Sequence, residues 1–166
     1  MRRTSLYELF DRVDPVVVRW MARHGVFLLR VSVGIVFLWF GALKFFPGIS
    51  PAEGLAGRTI EVLTFGVVGP NVSLPVLATW ECLIGLGLIF NVFMRLTLLL
   101  LFLQMPGTLA SFFIAFPEMV PHPPFGLSLE GQYVVKNLVL IAAGIVVGAT
   151  VRGGRLIADQ TISDQR

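Results

Sequence analysis

An all-α, transmembrane four-helix bundle is the fold class this sequence predicts, and three observations carry it. The chain is 55% hydrophobic and 14% charged, with a mean hydropathy of +0.82, too apolar for an ordinary soluble domain. Charge-poor runs recur over 26–46, 74–93, 96–116 and 133–151, each about 20 residues and so able to cross about 30 Å of hydrocarbon as helix. Basic residues gather at alternate ends of these runs. Arg2, Arg3, Arg12, Arg19, Arg23 and Arg30 precede or begin the first, Arg95 lies between the second and third, and Arg152, Arg155 and Arg166 follow the last. The positive-inside rule then predicts a multi-pass membrane protein with both termini in the cytoplasm.

Residues 1–25 are expected to form a cytoplasmic amphipathic helix, 26–151 the membrane domain and 152–166 a cytoplasmic tail. Leu6, Phe10, Val13, Val17 and Trp20 recur at spacings of three and four while Glu8, Asp11, Arg12 and Arg19 fall elsewhere, which reads as a helix lying on the membrane surface. Asp14 and Pro15 form a helix start signal that can divide this segment in two. His24 and Gly25 are expected to end it and let the chain turn into the bilayer. No A-x-A-like cleavage site precedes the first span, which is read as its own insertion signal.

The connection over 47–72 is longer than two antiparallel helices need. Ser50, Pro51 and Glu53 have the capping-box arrangement and predict a short external helix over 51–65. Its Leu55, Ile60, Leu63 and Val67 can lie on the outer membrane surface or fold over the bundle mouth as a lid. Span two carries Pro75 in its first turn, where a missing N–H costs little. The turn "FNVFMR" is tight, so spans two and three are antiparallel neighbours. Pro106 and Gly107 predict a kink in span three. The connection "PEMVPHPPFGLSLEGQ", rich in proline, reads as extended and irregular. Gly144 and Gly148 in span four form G-x-x-x-G, which permits close helix packing within the bundle or, as the alternative, a homo-oligomer.

Several chemistries drop out. Cys82 is the only cysteine, so there is no intramolecular disulfide or dithiol pair. His24 and His122 flank opposite ends of the bundle, which argues against haem held between them, and no metal cluster is visible. The sequence pI near 9.6 reflects arginines that the topology assigns to anionic lipid, at about 1 kcal/mol each, rather than to nucleic acid. No nucleophile with a base and no dinucleotide motif is present, so an autonomous enzyme is not expected.

Ionisable groups inside a span are costly and are functional candidates by default. Arg30 is shallow enough to snorkel to headgroups. Glu81 lies deeper in span two and needs protonation or a cation; Lys44, near the external end of span one, is the best partner, and Lys136, near the external end of span four, the second. Asn137 stands beside Lys136, Gln104 lies deeper near the Pro106 kink, and Trp80 can wall a pocket. Such a cluster can bind an anion or a quinone carbonyl, or relay a proton. The alternative is a structural ion pair that locks helices together.

The runs "RVSVGIVFLWFGALKF", "LATWECLIGLGLIF" and "EGQYVVKNLVLIAAGIVVGA" resemble the DoxX-like family of small four-helix membrane proteins, especially the branch that includes a bacterial inner-membrane protein of reactive-chlorine resistance. The similarity runs from Leu29 to Ala149. It implies a four-helix bundle with both termini inside and an association with redox processes, since the family name derives from a membrane subunit linked to thiosulfate and quinone oxidoreduction. It singles out Lys44, Glu81, Glu130 and Lys136. The cysteine pairs of relatives that work with thiols are absent here. The expected function is an accessory or anchoring component in redox or oxidative-stress physiology, with a protein partner from a redox complex and quinone or lipid bound near the external mouth. The alternative is a small-solute or proton-coupled transporter using Glu81.

Overall fold

The computed structural model describes residues 6–50, 52–124 and 126–154, with side chains placed from Val13 onward. Seven helices follow in order: α1 (Leu6–Leu43), α2 (Glu53–Leu63), α3 (Pro70–Phe90), α4 (Met94–Ile114), α5 (Phe116–Met119), α6 (Leu129–Val135) and α7 (Asn137–Thr150). Among the described residues, four stretches are long and apolar enough to cross a membrane: Val13–Leu43, Pro70–Phe90, Met94–Ile114 and Leu129–Thr150, the last formed by α6 and α7 together. They pack as an all-α transmembrane bundle. α2 and α5 sit at one end, and the α3–α4 turn lies at the other with the beginning of α1 and the end of α7.

α1 departs from expectation at its start. It runs 38 residues without interruption through Pro15, His24 and Gly25, about 57 Å at helical rise, so the turn expected at His24 and Gly25 does not occur. His24 is held inside the helix: its ring stacks on Trp20 at 5.1 Å, and Nδ1 lies 3.0 Å from the Trp20 carbonyl. Val13, Val17 and Trp20 of the amphipathic stripe are exposed; the side chains of Leu6 and Phe10, and the tail from residue 155, lie outside the described residues.

The seam between α1 and α3 is built on glycines. A Cβ on Gly34 would lie 2.8 Å from Ile89, one on Gly41 2.8 Å from the Glu81 Cβ, and one on Gly85 2.5 Å from the Leu38 nitrogen. Gly34 and Gly41, two turns apart, therefore let the backbones approach more closely than any side chain would allow. Gly144 and Gly148 face α4 within the bundle: a Cβ on Gly144 would sit tightly against the side chains of Phe102 and Leu101, whereas one on Gly148 would make only ordinary contact with Leu98. Val33, Phe37, Ile84, Leu88, Leu98, Leu101, Met105, Ala143 and Val147 form the main buried cluster. A smaller one at the α5 end contains Ala115, Met119, Val120 and Val134.

The α3–α4 turn is tight, as "FNVFMR" implies. Asn91 and Phe93 both take positive φ, and Asn91 is the left-handed cap that ends α3, a conformation asparagine tolerates better than most residues. Arg30 is tied to the neighbouring helix: its guanidinium donates to the carbonyls of Leu88 and of Ile89, the latter at 3.2 Å. These belong to the last turn of α3, where carbonyls have no helical partner and a cation is favourable.

At the other end, the capping box is shifted. α2 begins at Glu53 with Ala52 as its N-cap; the Glu53 carboxylate reaches back to the Gly48 N–H at 2.7 Å, and the Ser50 hydroxyl is buried without a partner. Pro51 lies outside the described residues. Of the two placements open for this helix, it takes the lid: Leu55, Ile60 and Leu63 face a cavity inside the bundle mouth, whereas Val67 lies beyond the helix and is exposed. The proline-rich connection is less irregular than expected, since it contains α5 and a bridge between His122 and Gly126. It ends at Ser128, whose Oγ accepts from the Gly131 N–H at 3.1 Å and so caps α6. α4 continues as helix through Pro106.

Candidate functional site

A cavity of about 320 Å³ lies between α1, α3, α4 and the α6–α7 segment, beneath α2. Its walls are mainly apolar, as in most small-molecule sites, and the polar groups on them include most of those the sequence singles out, together with Thr59, Thr108, Ser111 and Tyr133. Lys44 closes the end of α1, where its ammonium donates to the Glu81 carboxylate at 2.5 Å and to the Phe40 carbonyl at 3.3 Å. The pair is nearly inaccessible, with Lys44 8% and Glu81 7% exposed. Gly41 makes this approach feasible: one turn before Lys44, it lets α3 come close enough for Glu81 to lie across from the lysine.

The second carboxylate oxygen is held from α4. Gln104 Nε2 donates to Glu81 Oε1 at 2.8 Å, which leaves Gln104 Oε1 buried with no partner. An ionised carboxylate accepts only, so the amide must present its NH₂ to it. Three spans thus meet at one carboxylate. Trp80, the residue before Glu81, lines the cavity and donates its indole N–H to the Leu100 carbonyl at 3.0 Å, which fixes the ring as a wall.

Lys136 occupies the break between α6 and α7. It lines the cavity but does not join the Glu81 network; its ammonium lies over the rings of Tyr133 and Phe40, 4.0 and 4.2 Å from their centroids. Asn137, also on the wall, donates through Nδ2 to the carbonyls of Tyr133 at 2.9 Å and Val134 at 3.1 Å, so its amide holds together the two helices that the Lys136 break separates. Glu130 stands apart, exposed in the first turn of α6 and away from the cavity wall.

The structure therefore gathers Lys44, Glu81, Gln104, Trp80, Lys136 and Asn137 around one space and leaves Glu130 outside. Sequence reasoning passed over Gly41 and Gly85, which set the α1–α3 distance, and over Phe40 and Tyr133, the aromatic platform for Lys136. The signal for the glycines was present as the seven-residue spacing of Gly34 and Gly41. Gly107, which the sequence offers only as part of the span-three kink, also lines the cavity, and a Cβ there would meet nothing within 4 Å.

No curated protein and no solved structure matches the chain. The family model DoxX matches residues 25–115, more than half of the 166 residues. The matched region contains α2, α3, α4 and the membrane part of α1, and hence Lys44, Glu81 and Gln104, while Lys136 and Asn137 lie beyond it. With that match and four membrane-crossing helices, the chain is a multi-pass membrane protein that belongs to the DoxX family.

Proposed function

We propose that the protein is an accessory or anchoring component of redox or oxidative-stress physiology in the bacterial inner membrane, with both termini cytoplasmic, and that it binds a quinone or a lipid of similar shape under α2. The observation that supports this most is the join of an apolar cavity of about 320 Å³ to one polar wall, Lys44, Glu81, Gln104 and Lys136. That volume falls at the lower end of ordinary ligand sites, roughly 300–1,000 Å³, and suits a ring with part of its chain. Flat apolar walls hold the ring, and the polar wall offers hydrogen bonds to its oxygens. The cavity lies beside the bilayer, where such a molecule is dissolved. Transport through a titrating Glu81 has less support, because Lys44 and Gln104 engage both carboxylate oxygens.

Quenching of Trp80 tests the reading. Trp20 and Trp39 are exposed and lie off the cavity wall, so Trp20→Phe with Trp39→Phe leaves one tryptophan at the site. A short-chain naphthoquinone should quench it saturably in lipid nanodiscs. Quenching that grows linearly with quinone in the membrane, unaltered by filling the cavity at Gly107, would refute the reading.

A further inference from the structure

Among the described residues, two ammonium groups and one carboxylate are the only charges on the cavity wall. Glu81 is already neutralised by Lys44. Lys136 takes part in neither ion pair formed by the described residues, and its ammonium rests on two aromatic faces. Those rings attract the cation but accept no conventional hydrogen bond, so its N–H donors remain available. An ammonium at a membrane-spanning helix break is costly until it meets a counter-charge, and the described residues supply no second carboxylate on the cavity wall.

We propose that the cavity is selective for an amphipathic monoanion, an apolar body ending in one delocalised anionic oxygen group, and that Lys136 is the residue that confers this selectivity. The inference rests on the ligand-binding reading above and narrows its ligand class. Two sources share the chemistry: a quinone bearing an acidic ring hydroxyl, and a fatty-acid carboxylate. In either, the anionic oxygens accept from the Lys136 ammonium while the body lies against Phe40, Trp80 and the underside of α2. Loading makes the wall electrically neutral, two cations against two anions. Neutral quinones of the same shape forgo the charge-assisted bond, about twice as strong as a neutral one.

The test uses the full chain in phosphatidylcholine nanodiscs at pH 8, with Trp80 as the sole tryptophan. A 3-alkyl-2-hydroxy-1,4-naphthoquinone is compared with its 2-methoxy ether by quenching, and oleate with methyl oleate as competitors of the ether. At least about tenfold tighter binding of the hydroxyquinone anion, or of oleate over its ester, is expected, and the pair showing the preference identifies the source. Lys136→Met should bring the ratio close to one, and Lys136→Arg should keep it. Equal binding of acid and neutral forms to the wild type overturns the proposal and leaves the quinone reading standing. A preference that survives Lys136→Met overturns it as well, and binding of none of the probes removes both.

Discussion

Gly41 stands directly behind Glu81: a Cβ on the glycine would lie 2.8 Å from the Cβ of the glutamate and 3.0 Å from the Cys82 nitrogen. The closeness of α1 and α3 and the position of the buried carboxylate are thus one feature. Gly41→Ala should separate the helices and destabilise the protein by about 1–3 kcal/mol, the usual cost of overpacking, as read from detergent or denaturant unfolding. Gly54→Ala is the control, since its Cβ would meet nothing within 4 Å, and there stability should hold or rise.

Lys44 and Glu81 behave as a unit. Removing one partner leaves a buried charge unmatched, so Lys44→Met or Glu81→Leu alone should lower stability by about 3–5 kcal/mol. The double substitution should recover most of that loss, because both charges and their desolvation disappear together. Losses that simply add would show that the pair is not coupled.

Arg30 supports the end of α3. Arg30→Met removes its bonds to the Leu88 and Ile89 carbonyls and should cost about 1–2 kcal/mol, the range for a cation at a partly buried helix C-terminus. Hydrogen exchange should rise around the α3–α4 turn, with α6 and α7 unaffected.

Legibility in the sequence followed the strength of the local signal. Four charge-poor runs and a short charged turn between the second and third were enough for the bundle, and an isolated Glu81 in a span called for a cation that Lys44 supplies. What remained hidden was rotation about the helix axes. Spans apolar on every face have no stripe to show which side turns inward, so the α1–α3 glycine seam and the Phe40 and Tyr133 platform under Lys136 could not be read from periodicity. The partners of Arg30 stayed hidden for a related reason: depth along the helix does not say that carbonyls of another helix lie within reach. Unbroken helix through Pro15 and Gly25 likewise overrides local breaker residues.

Arg58 and Glu118 join α2 to α5 through an ion pair at 2.5 Å, with both side chains more than half exposed. Water and salt screen such a pair. Arg58→Ala should therefore change unfolding stability by less than about 1 kcal/mol, whereas a larger loss would mean that the lid depends on this contact.

The space beneath α2 is the proposed ligand site, and Gly107 gives direct access to it. Because nothing lies within 4 Å of a Cβ at this position on the cavity wall, Gly107→Leu should fill the space while preserving the fold and raising helix propensity. Native mass spectrometry of both proteins, extracted from their own membrane in mild detergent, is the decisive measurement. A quinone or amphipathic acid should be bound to the wild type and missing from Gly107→Leu. A bare wild-type protein, or the same adduct on both, would rule out a ligand beneath α2.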